Sequence, residues 1–246
     1  MSYWDYEPVG PPNIFDSKVE SEVFGISVIR ANYSNWSGID SELETAMQKS
    51  DLVILRTRDT KPFEALDGFT VIPAGTLIYW TSEEGRDLDL ENSEYHLELN
   101  LVDSSLRHFS DVLRDSFTGY KNHYDFNAAL NAHSTSDAYL QWARSRVDSD
   151  AMTGLLTFQE APIGVISAVQ RGDLVEVEIA GIAPSAQGLG HYKHLIGQLW
   201  KMVDQPNSAR LVISTQIENR NVQSAWKKLG LLPKFEVYTT HIMQNK

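Results

Sequence analysis

Residues 174–205 constrain the fold of this chain more than any other segment. Val175, Val177 and Ile179 alternate with Glu and Ala residues, the period-two pattern that turns one face of a strand toward the core. Pro184 ends this strand, and apolar residues then recur at the three- and four-residue spacing of an amphipathic helix. The segment therefore predicts a strand, a short turn and a helix, the unit from which α/β proteins are built.

The turn between this strand and this helix contains Gly188 and Gly190. Glycine lets the backbone approach a ligand closely, and the first N–H groups of a helix have no partner inside the helix. A pyrophosphate suits such a helix start, because free N–H groups and the helix dipole both favour an anion. Two glycines before a helix are also typical of a plain structural turn, so the residues alone leave both interpretations open.

The segment resembles the acyl-CoA-binding signature of the GCN5-related N-acetyltransferase (GNAT) superfamily. In that signature Gln or Arg, two variable residues, Gly, one variable residue and Gly or Ala follow a strand that ends in Pro. Gln187, Gly190 and Pro184 match the pattern, and Gly188 stands where many members also carry glycine. Tyr192 departs from it, because the usual residue there is small. The resemblance implies acyl transfer from a coenzyme A thioester to an amine.

The resemblance also implies which groups bind acyl-CoA, the expected cosubstrate. The expected cofactor-binding residues are Ile182, Ala183, Gln187, Gly188, Leu189, Gly190, His191 and Tyr192, joined by Asn219 and Trp226 from a second motif.

That second motif spans residues 218–231 and resembles the family pattern Asn-x-x-Ala-x-x-Leu-Tyr-x-Lys-x-Gly-Phe. Asn219, Lys228 and Gly230 match it directly. Trp226 occupies the position at which many members carry a tyrosine that protonates the departing thiolate. An indole N–H is a donor that does not release a proton near neutral pH. The usual acid is therefore missing here, or another residue does its work.

The predicted elements between residues 95 and 243 follow the order of the acetyltransferase core, and the two motifs lie in the expected order. The resemblance therefore implies the GNAT fold, an α/β (α+β) architecture. We expect a mixed, mostly antiparallel central sheet flanked by helices. A further helix is predicted at residues 136–147.

The N-terminal part is predicted to be a partial, degenerate GNAT-like half. Strands are predicted at residues 23–30 and 76–80, helices at residues 39–49 and 62–66, and a buried strand at residues 52–56. Their order is similar to that of the C-terminal elements, although αβ units often look alike without being repeats.

The segment Phe24-Gly25-Ile26 and the strand after it resemble the truncated N-terminal half of dTDP-fucosamine acetyltransferase and its relatives. Residues 81–93 are acidic and lack periodicity, which is typical of a linker. We therefore expect an N-terminal half at residues 1–93 and an acyl-CoA-binding catalytic domain at residues 94–246.

Composition excludes several classes of protein. The absence of cysteine rules out a disulfide framework and a cysteine nucleophile, and the seven histidines lack the paired spacing of a zinc site, so no metal is predicted. A net charge of −12 lacks the basic character of a nucleic-acid binder. No apolar run approaches the ~20 residues of a membrane span, and the acidic, aromatic start is unlike a signal peptide. We expect a cytoplasmic protein, with a homodimer as the commonest oligomer.

Amine acylation needs a base, a polarised carbonyl and a stable leaving thiolate. Without a cysteine or a motif-placed serine, we expect direct attack of the amine in a ternary complex. Glu176 and Glu178, which would share a face of the central strand, and His123, whose ordinary pKa is ~6.5, are the candidate catalytic bases. Solvated or ion-paired carboxylates and a structural histidine are the competing interpretations.

The subgroup resemblance implies a nucleotide-linked deoxyamino sugar, with dTDP as the expected nucleotide, in bacterial surface-polysaccharide (O-antigen) assembly. Asn122, Tyr124 and Asn127 are candidates to bind that acceptor, and Tyr33 and Arg56 are candidates to contact its nucleotide. Two alternatives stay open. The acceptor could be another amine, such as a protein N-terminus, an amino acid or an antibiotic, or the chain could be a non-catalytic acyl-CoA-binding module.

Overall fold

The structure is a computed structural model that describes residues 11–88, 94–99, 101–130, 141, 145–146 and 151–245. Within these residues the strands are β1 (Asn13–Asp16), β2 (Val28–Tyr33), β3 (Leu52–Arg58), β4 (Phe69–Thr81), β5 (Tyr95–Glu98), β6 (Met152–Phe158), β7 (Ala161–Arg171), β8 (Leu174–Ile182), β9 (Arg210–Gln216) and β10 (Leu232–Gln244). The helices are α1 (Lys18–Phe24), α2 (Ser41–Lys49), α3 (Asp103–Ser116), α4 (His191–Trp200) and α5 (Arg220–Lys228). Short 3-10 turns lie at His123–Phe126, Ala128–Leu130 and Pro184–Ala186.

The ten strands form one sheet in the order β1-β2-β3-β10-β4-β9-β8-β7-β6-β5. The pairs β2–β3 and β8–β9 are parallel, and the other described neighbours are antiparallel. The predicted mixed, mostly antiparallel sheet flanked by helices is therefore confirmed.

Two parallel units, β2–α2–β3 and β8–α4–β9, lie at corresponding positions on either side of the central β10–β4 pair. The strand beside β3 is β10, which comes from the end of the chain, and the strand beside β9 is β4, which comes from its first third. Each unit thus takes its neighbour from the other part of the chain. The boundary between residues 93 and 94 stays a prediction, since residues 89–93 lie outside the described residues.

Helices cover both faces of the sheet where β8 lies. On one face Val177 packs with α4 residues such as Leu195 and Leu199, and on the other Ile179 packs against Phe109 of α3. Each fully buried Leu or Phe side chain of this kind contributes about 1.5–3 kcal/mol relative to exposure. These two cores hold β8 and the start of α4 in fixed positions.

Two predicted elements in the N-terminal part are wrong. Val23 and Phe24 belong to α1, because Gly25 adopts a φ of +66° that ends this helix before β2 begins. Residues 62–66 are not helical, because Leu66 forms an antiparallel bridge with Phe69 and so turns the chain directly into β4.

Other expectations are met. The helix predicted at residues 39–49 is α2, and its N-cap residue Asp40 accepts the Leu43 N–H at 2.8 Å. The helix predicted at residues 136–147 lies largely outside the described residues. Within that range, residues 141, 145 and 146 are described, and they are helical.

Candidate functional site

A cleft of about 750 Å³ opens where β8 and β9 diverge. The two strands pair only from Leu174 to Val177 on β8 and from Arg210 to Ile213 on β9. Beyond that point residues 178–182 form one wall and residues 214–215 the other. The loop after α3, the start of α4 and one side of α5 complete the lining. The cleft therefore brings together both sequence motifs, which lie far apart in the chain.

A β-bulge at Glu178 marks the point of divergence. Ser167 of β7 pairs with Ile179, whereas the next residue Ala168 pairs with Val177, which leaves Glu178 as an extra residue in β8. The expectation that Val177 and Ile179 share one face is therefore wrong, since they pack into the two opposite cores. A period-two pattern cannot reveal an inserted residue of this kind.

Glu178 is a lining residue of the cleft, and its side chain is only 3% exposed. Its Oε1 accepts a hydrogen bond from the Arg146 guanidinium at 2.7 Å, and its Oε2 has no partner among the described residues. Burial raises the pKa of Glu178, and the nearby positive charge of Arg146 opposes that shift. Glu178 is thus a carboxylate with one oxygen paired and one buried oxygen without a partner among the described residues. Glu176 is buried and does not line the cleft.

The turn before α4 leaves the helix start open. Gly188 and Gly190 have φ values of +78° and +85°, which other residues rarely adopt. Gly190 is the N-cap residue and has no side chain with which to cap the first-turn N–H groups. The Gln187 side chain donates a hydrogen bond to the Ile182 carbonyl at 2.9 Å and so ties the turn to the end of β8. An anion fits this arrangement.

The edge of β8 presents backbone donors to the cleft. The Ala183 N–H donates to the Ile163 carbonyl at 2.8 Å, so it faces β7 and is not available to a ligand. Successive N–H groups along a strand point to opposite sides, so those of Ile182 and Ala180 point toward the cleft. Of the two predicted residues, Ile182 lines the cleft and Ala183 does not.

Two aromatic residues that depart from the family pattern meet in the cleft. The Trp226 indole N–H donates to the Tyr192 hydroxyl at 3.2 Å, and both residues line the cleft. Burial raises the pKa of Tyr192, and the hydrogen bond from the indole opposes this shift.

The remaining predicted cofactor residues separate into two groups. His191 and Asn219 line the cleft, and His191 Nδ1 lies 2.7 Å from the Tyr95 hydroxyl. Asn219 donates from Nδ2 to the Thr215 hydroxyl at 3.0 Å. Leu189 is 70% exposed and lies outside the described lining.

Tyr120 lines the cleft, although the sequence patterns did not indicate it as a site residue. Its hydroxyl lies 3.3 Å from the Thr215 hydroxyl, and burial raises its pKa. The aromatic, polar character of residues 120–127 was the available signal, but it does not distinguish the residue that faces the cleft from those that face the core.

Several predicted catalytic and acceptor residues lie in a separate buried cluster, which we call the histidine cluster: His123, His241, Asn127 and Arg56. The Ala129 N–H donates to Asn127 Oδ1, so Asn127 Nδ2 must be the atom that donates to His241 Nδ1 at 3.2 Å. His241 Nε2 then carries a proton and donates to His123 Nδ1 at 2.9 Å. Both imidazoles are neutral in this arrangement.

Burial lowers the pKa of both histidines, and the positive charge of Arg56 lowers it further, to about 3 for His241. Arg56 is 1% exposed and donates to the Thr239 hydroxyl. Neither His123 nor Arg56 lines the cleft.

An ion pair borders the histidine cluster. Glu20 accepts hydrogen bonds from Arg30, Ser17 and the Tyr124 hydroxyl. Burial by itself would raise the pKa of Glu20, but the charge of Arg30 and these hydrogen bonds lower it to about 2. The Asn122 side chain caps the turn that carries His123.

Tyr33 lies elsewhere, with its hydroxyl donating to Asp40 at 2.9 Å. The roles predicted for the residues of both sites stay predictions, as do the cytoplasmic location and the homodimer. The described residues contain no group of three or more His, Asp or Glu arranged to hold a metal ion. None of the described helices is long and apolar enough to span a membrane.

Comparison with known proteins supports the fold. No family model matches the chain. A spore coat polysaccharide biosynthesis protein, SpsD, from Bacillus subtilis is 20% identical over 137 residues, which is 55% of this chain and 47% of that protein. The chain thus spans about half the length of this curated relative.

Two solved structures cover nearly all of the chain. A conserved protein of unknown function from Staphylococcus epidermidis has a TM-score of 0.64 at 14% identity, covering 94% of this chain and 90% of its own. A GCN5-related N-acetyltransferase from Sphaerobacter thermophilus has a TM-score of 0.54 at 9% identity, covering 95% and 76%. The chain therefore has the GNAT fold.

Proposed function

We propose that this protein is an acyl-CoA-dependent N-acyltransferase that acylates the amino group of a nucleotide-linked deoxyamino sugar, with dTDP as the nucleotide. The observation that carries the proposal is the cleft itself. Its described lining includes an uncapped helix start, a strand edge with unpaired N–H groups, and Glu178, whose buried Oε2 has no partner among the described residues.

The chain's own groups match the parts of an acyl-CoA molecule. The first N–H groups of α4, next to Gly188 and Gly190, suit the pyrophosphate. The N–H groups of Ala180 and Ile182 suit the pantetheine amides and the thioester carbonyl. A donor placed to bind the developing oxyanion is commonly worth about 3 kcal/mol in an acyl transfer.

Glu178 is the base in this proposal. The ammonium form of an amine must lose a proton before it can attack, and Oε2 of Glu178 is free to accept that proton directly or through a water molecule. Its raised pKa makes it a better proton acceptor than an exposed carboxylate. The amine then attacks the thioester carbon in a ternary complex, and the bond to sulfur breaks as the carbonyl re-forms.

A sugar acceptor fits the chemistry of the walls. Among the described lining residues, Glu178 is the single carboxylate, and Arg146 pairs with it. A polycationic antibiotic would favour several carboxylates, whereas hydroxyl and amide groups suit a sugar. The described lining residues with such groups are Ser116, Thr118, Tyr120, Gln187, Tyr192, Ser214, Thr215, Asn219 and Asn221. The similarity to a polysaccharide biosynthesis protein supports the same class of acceptor.

The predicted residues that follow Tyr120 in the chain have an indirect role in this proposal. His123, Asn122 and Asn127 fix the turn that follows Tyr120, and that tyrosine faces the cleft. They would therefore shape the acceptor side of the cleft without contacting the sugar.

The test is release of coenzyme A thiol from acetyl-CoA and longer acyl-CoA donors, with dTDP- and UDP-linked 3-amino and 4-amino deoxysugars as acceptors. Peptides and aminoglycosides serve as competing amine classes. We expect release with one amino sugar and a large loss of that activity in Glu178→Gln. Release of coenzyme A thiol with a peptide or an aminoglycoside, and not with an amino sugar, would show that the acceptor belongs to that other class of amine. Binding of coenzyme A without release for any amine would identify a binding module.

A further inference from the structure

Two of the positions at which the chain departs from the family motifs are in direct contact. Tyr192 stands where the first motif has a small residue, and Trp226 stands where the second motif has the tyrosine acid. The indole N–H of Trp226 donates to the Tyr192 hydroxyl at 3.2 Å. A phenol is therefore present in the cleft, although it comes from α4 and the usual one comes from the helix that corresponds to α5.

The hydrogen bond from Trp226 determines the donor and acceptor roles of the Tyr192 hydroxyl. An indole has a donor and no acceptor, so the Tyr192 oxygen must be the acceptor of this bond. The hydroxyl proton of Tyr192 is then left for another partner, and none is present among the described residues. Because Tyr192 lines the cleft, that proton is available to a ligand bound there.

We propose that Tyr192 is a catalytic residue that donates a hydrogen bond to the leaving sulfur of acyl-CoA, and that Trp226 is the residue that positions it. The inference rests on the proposed function, since it assigns a role in the same cleft. Tyr192 and Trp226 each depart from a family motif, but together they place one hydroxyl donor in the cleft.

The step balances without a further reactant. The amine, whose ammonium proton has already passed through Glu178 to water, forms a bond from nitrogen to the thioester carbon, and the second proton that nitrogen loses goes to Glu178. The carbonyl re-forms, the carbon–sulfur bond breaks, and its electron pair goes to sulfur. The thiolate leaves while it accepts the hydrogen bond from Tyr192, and it takes a proton from water on release, because a thiol of pKa ~8.5 is a good leaving group. Burial raises the pKa of Tyr192, so the phenol keeps its proton throughout the neutral range.

The experiment measures the pKa of the thiol of coenzyme A bound to the full-length protein, followed by the ultraviolet absorbance of the thiolate. A hydrogen-bond donor stabilises the thiolate, so we expect a bound thiol pKa about one unit higher in Tyr192→Phe than in the unchanged protein, a tenfold change in the ionisation constant. Tyr238→Phe is the matched control, since that hydroxyl bonds Glu236 on β10, outside the lining of the cleft.

The outcomes separate the two proposals. An equal thiol pKa in the unchanged protein and in Tyr192→Phe, with coenzyme A bound to both, would overturn the role of Tyr192 and leave the acyltransferase proposal standing. Absence of coenzyme A binding to the unchanged protein would overturn the proposed function itself. In turnover, Tyr192→Phe should lower kcat about tenfold or more with little change in KM for acyl-CoA. Trp226→Phe should give a smaller shift of the thiol pKa in the same direction.

Discussion

Glu178 takes its chemical character from two features that the sequence does not display together. The bulge in β8 turns it into the cleft, and Arg146 holds one of its oxygens while burial raises its pKa. Glu178 could be predicted as a candidate base from its sequence position, because a carboxylate on the central strand could accept a proton. The bulge and the partner could not be predicted, because they depend on strand pairing and on a residue 32 positions away in the chain.

Removing Arg146 should change the pH profile of the reaction. Its positive charge lowers the pKa of Glu178, so Arg146→Gln should raise that pKa and reduce the ionised fraction of the base near neutral pH. We expect kcat/KM to fall about tenfold at pH 7 and the difference to narrow at pH 9, with the acid limb displaced to higher pH. Arg114→Gln removes an exposed ion pair with Asp111 on α3 and should leave the profile unchanged. Superimposable profiles for the two variants would contradict the role of Glu178.

The histidine cluster should make the fold sensitive to acid. Folding lowers the pKa of His241 from 6.5 to about 3, so the unfolded chain binds more protons between these pH values. The free energy of unfolding is therefore highest above pH 6.5 and falls as the pH decreases, by about 3 kcal/mol at pH 4. Glu20, with its pKa lowered from 4.5 to about 2, adds a loss in the same direction below pH 4.5.

Denaturant unfolding as a function of pH tests this expectation. His241→Gln removes the titrating group, so its stability should change less between pH 7 and pH 4 than that of the unchanged protein, even if it is lower at pH 7. His108→Gln, on the exposed side of α3, is the control and should keep the full pH dependence. A pH dependence equal in all three proteins would show that His241 titrates normally.

The helices α2 and α4 occupy corresponding positions in the two parallel units but begin differently. Asp40 caps α2 by accepting the Leu43 N–H, and it also accepts the Tyr33 hydroxyl. Helix α4 begins at Gly190, which has no capping group. The Asp40 carboxylate thus already accepts a hydrogen bond from a first-turn N–H group of α2. The first-turn N–H groups of α4 have no side-chain cap and can bind a ligand. Both starts were predictable, because Asp caps and glycine turns are local signals.

This difference predicts one coenzyme A site in each chain. Gly190→Asp places a negative charge where the pyrophosphate is expected, and we expect it to weaken coenzyme A binding at least tenfold in calorimetry. Gly172→Asp is the control for backbone strain, since Gly172 has a similar φ of +60° in the turn between β7 and β8. Asp40→Ala should lower the free energy of unfolding by about 1 kcal/mol and leave the affinity unchanged. Binding of two coenzyme A molecules per chain would contradict the expectation that the Asp40 cap prevents a ligand from binding at the start of α2.

The exchange of strands at the centre of the sheet is the feature that local sequence patterns could least predict. The strands themselves were expected at residues 76–80 and near the C-terminus, but a period-two pattern does not say which strand lies beside which. The insertion of β10 between β3 and β4, and of β4 between β10 and β9, depends on contacts across most of the chain. Leu77 and Tyr79 of β4 are buried in one cluster with Phe235 and Val237 of β10, so the pairing is fixed by packing that only the folded protein provides.

Residues 94–246 should therefore not fold alone, even though they contain both motifs and all the described lining residues of the cleft. Without β4, the β9 edge loses its antiparallel neighbour, and β10 loses its partners on both sides. Unpaired edges of this length aggregate or stay unfolded. We expect the fragment to lack cooperative thermal unfolding by circular dichroism and to bind no coenzyme A, and co-expression with residues 1–93 should restore both. A fragment that melts cooperatively and binds coenzyme A would show that the strand exchange contributes little to stability.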